Sequence, residues 1–149
     1  GLTITACPAA ALLVRTTRFH LSSSTISACD VGVEIAENSG QTLLDRNHFT
    51  KNRVGVRFAA SGHGSAVTNN EFMDNKDAGL WAVRSAADTH DEPIGIHDNK
   101  FTEDGAGIVA GNVPVLIEHN DFINLNRVLV RVQAVLHHHE RRRCLRRVG

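Results

Sequence analysis

The fold is decided by residues 47–58, which read Asn-His-Phe-Thr-Lys-Asn-Arg-Val-Gly-Val-Arg-Phe, because the chain repeats this pattern. Related stretches begin at Ser24, Asn70, Asn99 and Asn120. The positions equivalent to the first phenylalanine lie 23, 23, 29 and 21 residues apart. They are Ile26, Phe49, Phe72, Phe101 and Phe122. A repeat of this length is typical of a solenoid.

Each repeat holds three short segments in which apolar and polar residues alternate, and Val56-Arg57-Phe58 is one of them. Such alternation predicts strands with one face inside and the other outside. About 22 residues per repeat leave no length for a crossover helix beside three strands. The sequence therefore predicts an all-β solenoid of five to six coils, with three short strands per coil stacked in parallel. We expect the repeat domain to cover residues 1–136, with an incomplete first coil at 1–18 and no capping coils.

Asparagines recur at one bend of the repeat, where left-handed backbone angles are tolerated better by Asn than by most residues. We expect Asn47, Asn70, Asn99 and Asn120 to occupy that bend and to form an amide ladder along the solenoid. The phenylalanines two positions later are expected to stack inside. Both features are predicted to be structural.

The charge distribution limits the kinds of partner that the chain is expected to bind. Residues 1–136 carry 11 basic and 15 acidic side chains, whereas residues 137–149 carry 5 basic and 1 acidic. A mildly acidic body argues against a nucleic-acid interface along the solenoid. No apolar segment is long enough to predict a membrane span. We expect the tail, which begins His137-His138-His139, to be disordered, with weak metal affinity at most.

The three cysteines, Cys7, Cys29 and Cys144, are too few and too irregularly spaced to predict a disulfide framework or a zinc site. Cys29 takes the turn position that Asn52 and Asn75 hold in later repeats. Residues 1–5 already alternate as a strand would, so we expect the chain to be a segment of a longer protein. In that case, the rest of the protein would stack on both ends of the solenoid.

The repeat Asn-x-Phe-x-x-Asn-x-x-Gly-Val, over roughly residues 12–132, resembles the right-handed parallel β-helix superfamily, the pectate-lyase-like fold. The resemblance implies a right-handed coil and a secreted or periplasmic location. Members include polysaccharide lyases, hydrolases, alginate epimerases, phage tailspikes and a periplasmic metalloenzyme maturation protein. In that superfamily the substrate cleft usually follows the sheet built from the Gly-Val strands.

The outward residues of those strands form the row Glu34, Arg57, Trp81, Val109 and Arg131. An exposed Trp between two arginines suits an acidic sugar chain, because the indole stacks on a pyranose and guanidinium groups bind carboxylates. Glu34, Arg57 and Arg131 are weak candidates for catalysis of a lyase type. The alternative is a cation–π contact between Arg57 and Trp81 with Glu34 paired to Arg57.

Two loops add candidate residues beside this row. The longest insertion contains Asp88, His90, Asp91 and Glu92, which are suited to contact substrate, to hold a hard cation such as calcium, or to remain a solvated loop. His63 lies between two glycines and is similar to one polygalacturonase motif, although the companion motifs are missing. A tight turn explains His63 equally well. We expect no resident metal, since calcium has only weak support.

Two hypotheses follow for function. The first is a segment of an extracytoplasmic carbohydrate-active β-helix that binds or processes an acidic polysaccharide, as a lyase, epimerase or hydrolase. The second is a non-catalytic β-helix module that acts as a scaffold or binds a partner, including a metal-delivery partner. The sequence leaves the choice open.

Overall fold

The computed structural model describes residues 1–37, 39–59, 62–84, 92–132 and 136–139, with the backbone alone for 130–132 and 136–139. These residues contain no helix and form eighteen strands in six coils of three. In chain order the strands are Thr3–Thr5 (β1), Ala10–Val14 (β2), His20–Ser22 (β3), Thr25–Ser27 (β4), Val31–Ile35 (β5), Leu43–Asp45 (β6), His48–Thr50 (β7), Val54–Phe58 (β8), Ala66–Thr68 (β9), Glu71–Met73 (β10), Ala78–Val83 (β11), Ile94–His97 (β12), Lys100–Thr102 (β13), Ala106–Gly111 (β14), Val115–Glu118 (β15), Asp121–Ile123 (β16), Arg127–Val132 (β17) and Leu136–His139 (β18).

Strands from the same position in successive coils pair in parallel and form three six-stranded sheets. Sheet A contains the first strand of every coil, sheet B the second and sheet C the third. The prediction of an all-β parallel solenoid with three short strands per coil is confirmed. Hydrogen bonds therefore run along the solenoid axis from coil to coil, and side chains of equivalent positions are stacked above one another.

Stacked aromatic rings fill the interior behind sheet A. Phe49, Phe72, Phe101 and Phe122 are buried, with ring centroids 5.1, 4.7 and 5.1 Å apart and nearly parallel planes. A glycine in the adjoining sheet B strand makes room for each ring. A Cβ added to Gly79, for example, would lie 2.7 Å from Phe101 Cδ1. The predicted aromatic stack is confirmed, and the Gly-Val signature of the repeat is explained by it.

The turn from sheet C to sheet A contains the predicted amide ladder, here called the C–A ladder. Its members are Ser24, Asn47, Asn70, Asn99 and Asn120, all buried. Asn70 is representative: its Nδ2 donates to Leu44 O at 2.8 Å and to Asn99 Oδ1 at 3.1 Å. Its Oδ1 accepts from the backbone N–H of Asn47 at 2.9 Å. Each amide thus satisfies buried backbone groups in the preceding coil.

The turn from sheet A to sheet B contains a second ladder, here called the A–B ladder, with Cys29, Asn52, Asn75 and Asp104. Cys29 therefore occupies the turn position that the repeat predicted for it. In the next coil the register places Leu125 at this position and Asn126 one residue beyond it. Leu125 has no polar side chain, so the ladder ends at Asp104.

The expectation that the ladder asparagines adopt left-handed angles is wrong. The left-handed residue is the one before each ladder member, as in Arg46 (φ 55°), Asn69 (φ 54°) and Asp98 (φ 59°). The physical reason is the direction of the side chain. The ladder amide must point inward to bond to its neighbours, while the strained backbone conformation falls on an exposed residue whose side chain points to solvent. The cost, about 1–2 kcal/mol per residue, is offset by the ladder hydrogen bonds.

The sheets continue to the last described strand. β18 pairs with β15 through His139, so it crosses the domain boundary predicted at residue 136. The first and last strands of each sheet are its edges within the described residues. Residues 140–149 lie outside the described residues, and the prediction of a disordered basic tail stays a prediction.

Candidate functional site

The outer face of sheet B brings together most of the predicted row. The register places Glu34 opposite Arg57, Arg57 opposite Trp81, and Trp81 opposite Val109. Adjacent members are therefore separated by the spacing of neighbouring strands, about 4.8 Å. Arg57 is exposed, whereas Glu34 and Trp81 are half-buried.

Arg131 does not belong to this row. The register places Val130 opposite Val109, and Arg131 lies opposite the inward residue Ala110. The sequence alignment of this coil was shifted by one residue, because it took Asn126 rather than Leu125 as the ladder position. Three residues separate β16 from β17, and three residues also separate β13 from β14. The strand register is therefore the same in both coils.

Trp81 forms one wall of a groove on this face. Its side chain packs against Ala78, Ala106 and Val109, which are 0%, 2% and 4% exposed. The groove has a volume of about 410 Å³ and is called the Trp81 groove below. It is lined by Lys76, Asp77, Trp81, Gly105, Ala106, Val109, Asn126 and Arg127. An indole, two cationic side chains, one carboxylate and an amide thus surround one opening.

One additional residue in a turn shapes this groove. Four residues connect β10 to β11, whereas three connect β7 to β8 and β13 to β14. The additional residue places the Lys76 and Asp77 carbonyls against the next coil at Gly105. A Cβ at residue 105 would lie 2.2 Å from Lys76 O and 2.9 Å from Asp77 O. Only glycine allows this approach of one backbone to another.

The two arginines near the groove differ in their partners. Arg53 Nε lies 2.7 Å from Asp30 Oδ1 and Arg53 Nη1 lies 3.0 Å from Asp77 Oδ2. Hydrogen bonds to Arg53 hold the pKa of Asp30 below its usual value, and the two carboxylates raise the pKa of Arg53. Within the described residues, Arg57 makes no ion pair and no cation–π contact. Its guanidinium is therefore available to a ligand.

The loop candidates lie at the turn between sheets B and C. Gly62 and Gly64 have φ of 56° and 66°, so the tight turn around His63 is confirmed. The structure brings Glu92 to this turn, because a Cβ on Gly64 would lie 2.6 Å from Glu92 Oε2. Asp88, His90 and Asp91 lie outside the described residues. Their suggested roles, and those of His63 and Glu92, stay predictions.

A second groove, which the sequence reasoning missed, follows the C–A ladder. Its volume is about 490 Å³. It is lined by Arg46, His48, Asn69, Asn70, Glu71, Asp98, Asn99, Lys100, His119 and Asp121. The signal was present in the sequence, because the residues on either side of each ladder asparagine are polar or charged. Cations and anions alternate along it, and His48 Nδ1 lies 3.4 Å from Glu71 Oε2.

With the coil geometry established, comparison with known proteins identifies the fold family. The family model for right-handed β-helix regions matches residues 1–123 of the chain. The chain belongs to the right-handed β-helix family. No curated protein and no solved structure matches the chain significantly. Membership in this family fixes the handedness of the solenoid, and the chemistry has to be inferred from its surface.

No three His, Cys, Asp or Glu side chains converge on one point within the described part of the chain. None of its described residues belongs to a helix capable of crossing a bilayer. On sheet B, the β-helix presents Glu34 beside Arg57, a carboxylate and a guanidinium that are not paired with each other.

Proposed function

We propose that this β-helix binds an acidic polysaccharide along the outer face of sheet B, as a segment of an extracytoplasmic carbohydrate-active protein. The observation that carries the proposal is the register that places Arg57 directly beside Trp81. The Trp81 ring supplies an apolar surface for a pyranose face, and the unpaired guanidinium supplies a bidentate donor for a uronate carboxylate.

The Trp81 groove supports the same ligand class. Lys76 and Arg127 line it and provide two further cations, while Asn126 provides an amide for sugar hydroxyls. The small residues Gly105 and Ala106 leave space beside the indole. Because the row of outward residues runs along the solenoid axis, a polymer that lies along this axis meets the Arg57 and Trp81 positions in succession. An extended chain fits this geometry better than a compact small molecule does.

Processing of the polymer is the finer part of the proposal. Glu34 and Arg57 lie on neighbouring strands and offer an acid–base pair of residues for proton transfer at a uronate. Arg131 is on the adjoining part of sheet B but in a different column. A lyase reaction would release an unsaturated product that absorbs ultraviolet light. Incubation with polygalacturonate and alginate, followed by absorbance, tests this part separately from binding.

Binding is tested with the fluorescence of Trp81, which is the single tryptophan of the chain. Polygalacturonate and alginate should change its emission, and neutral dextran should not. Arg57→Ala is expected to weaken binding by about tenfold or more, since a hydrogen-bonded charge pair is lost. Arg46→Ala is the matched control, because Arg46 is exposed on the opposite turn and pairs with Asp45 at 2.8 Å.

The proposal fails if the polyuronates leave Trp81 emission unchanged, or if Arg57→Ala and Arg46→Ala weaken binding equally. Far-ultraviolet circular dichroism of each variant verifies that the β-helix is intact. Salt dependence provides a further measure, because ion pairs with carboxylates weaken as ionic strength rises. If a folded protein does not bind these polymers, the non-catalytic scaffold interpretation replaces the proposal.

A further inference from the structure

Cys7 and Cys29 occupy equivalent positions in the first two coils. β1 pairs with β4 in continuous register up to the turn that contains them. Asp30 N donates to Cys7 O at 3.0 Å, and Arg53 N donates to Cys29 O at 3.1 Å. The contact that stacks Cys29 on the next coil is thus repeated by Cys7. Cys7 is the first member of the A–B ladder.

The spacing of this ladder suits a covalent bond between the two thiols. Neighbouring parallel strands lie about 4.8 Å apart. A disulfide requires Cα atoms roughly 4.4–6.8 Å apart and Cβ atoms roughly 3.5–4.5 Å apart, so the two turns would approach each other slightly as the bond forms. Cys29 is buried with 4% exposure, and the half-buried Cys7 packs against the same hydrophobic cluster. Both thiols are reduced in the structure, where Cys29 Sγ donates to Ser27 O at 3.3 Å.

We propose that Cys7 and Cys29 form a disulfide that ties the first coil to the second, through exchange with a low-molecular-weight disulfide such as glutathione disulfide. One thiolate attacks the external disulfide, forms a mixed disulfide and releases one glutathione. The second thiolate then attacks the protein sulfur of that mixed disulfide and releases the second glutathione. Two protein thiols are oxidised and one external disulfide is reduced to two thiols, with both protons passing to the departing glutathiones.

The environment of the thiols sets the order of these steps. Cys7 is the more exposed of the two and is the group that an external disulfide reaches. Burial and the adjoining Cys7 thiol raise the pKa of Cys29 to about 11. Ring closure by Cys29 is therefore slow at neutral pH, because little thiolate is present. Its rate should rise roughly tenfold per pH unit between pH 7 and 9.

The bond would join the first coil, which buries little apolar surface, to the second. The first coil contains β1, β2 and β3, which form the outer edge of the three sheets. Leu2 and Leu13 of this coil are 50% and 48% exposed, so it contributes less buried surface than the later coils. A coil that buries little apolar surface opens locally more easily than a coil that buries more. A covalent link between residues 7 and 29 would oppose that opening.

The experiment uses the full chain with Cys144→Ser, so that the third thiol does not compete. The folded, reduced protein is incubated with glutathione disulfide, its remaining thiols are alkylated, and tryptic peptides are analysed by mass spectrometry. The expected product joins peptides 1–15 and 19–46, which contain Cys7 and Cys29. The matched variant Cys29→Ser should instead yield peptide 1–15 carrying glutathione.

The structural consequence is measured by limited trypsin digestion of the folded protein. Cleavage after Arg15 and Arg18, both exposed in the first coil, should be at least about tenfold slower in the oxidised form. Cleavage after Lys51, in the turn between β7 and β8, should be the same in both forms. A folded protein that gives no linked peptide overturns the disulfide. A linked peptide with unchanged cleavage after Arg15 and Arg18 overturns its role in holding the first coil.

Discussion

Asn75 Nδ2 donates to Asp104 Oδ1 at 2.8 Å, so a carboxyl group stands at the end of the A–B ladder where an amide would continue it. The other oxygen, Asp104 Oδ2, is buried and has no hydrogen-bond partner. Burial raises the pKa of Asp104 to about 7, although hydrogen bonds from Asn75 oppose the increase. The carboxyl group is therefore largely protonated below pH 7. A buried oxygen without a hydrogen-bond partner costs less free energy in the neutral acid than in the carboxylate.

This site predicts a pH-dependent stability. The folded state binds the Asp104 proton more tightly than the unfolded state, whose pKa is near 3.8. The contribution of Asp104 to the free energy of unfolding is greatest below about pH 4, decreases as the pH rises from about 4 to about 7, and is constant above that. Asp104→Asn removes the titration and continues the amide ladder. It should raise the free energy of unfolding at pH 8 by about 2–4 kcal/mol.

Urea unfolding at pH 5 and pH 8 measures this effect. Asp121→Asn provides the control, because Asp121 is an exposed carboxylate outside the ladder. The control should change stability by under about 0.5 kcal/mol at either pH. If Asp104→Asn is no more stable than the parent at pH 8, the buried carboxyl group is not the source of the pH dependence.

The C–A ladder predicts a large difference between two neighbouring asparagines. Asn70→Ala removes a buried amide and leaves the Leu44 carbonyl and the Asn47 N–H without their partners. We expect a loss of about 3 kcal/mol or more. Asn69→Ala removes a bond from an exposed amide to Asp45, 3.0 Å away, and places Ala at a left-handed φ of 54°, so it should cost about 1–2 kcal/mol. Urea unfolding of both variants tests the comparison, and equal losses would contradict it.

The glycines of adjacent coils provide a third prediction. Gly105→Ala places a Cβ 2.2 Å from the Lys76 carbonyl, which is backbone and moves only if the whole turn shifts. We expect a loss of about 2–4 kcal/mol. In Gly95→Ala the nearest atom is His97 Cδ2, 3.6 Å away, so stability should change by under about 1 kcal/mol. Thermal unfolding of both variants measures this difference in stability. If Gly105→Ala is as stable as the parent, the turn is less constrained than its contacts indicate.

Much of the fold followed from the sequence because its signals are periodic. The ladder asparagines, the phenylalanine stack and the row from Glu34 to Val109 all repeat at equivalent positions, so aligning the repeats was enough to predict their register. The exceptions fall where one coil departs from the others. The turn that contains Asp77 has one additional residue and lines the Trp81 groove, and the apolar Leu125 at a ladder position led the sequence alignment to place Arg131 in the row by mistake.

The cysteine pair shows the opposite case, in which the signal was available but was not used. Cys7 and Cys29 are 22 residues apart, which is one repeat. Treating residues 1–18 as an incomplete coil hid this equivalence. Left-handed residues such as Arg46 were also missed, because an exposed position accepts many side chains and carries no compositional signal. What the sequence did not predict depends on single backbone conformations rather than on residue type.

Arg53 and Arg57 lead to the last prediction, because they lie on the same surface with different partners. Arg53→Gln breaks the bridges to Asp30 and Asp77, in which the Arg53 side chain is 40% exposed. Half-exposed ion pairs are screened by solvent, so the loss of stability should be under about 1 kcal/mol.

In Arg53→Gln the two carboxylates would lie unpaired beside the Trp81 groove and repel a polyanion. Polyuronate binding should weaken at low salt and recover toward the parent value at about 0.5 M salt, where charges are screened beyond about 4–5 Å. Arg57→Gln should instead leave stability unchanged and weaken binding at both salt concentrations, since a direct hydrogen-bonded contact is removed. Urea unfolding and Trp81 fluorescence at two salt concentrations distinguish the variants, and identical salt responses would contradict separate roles for the two arginines.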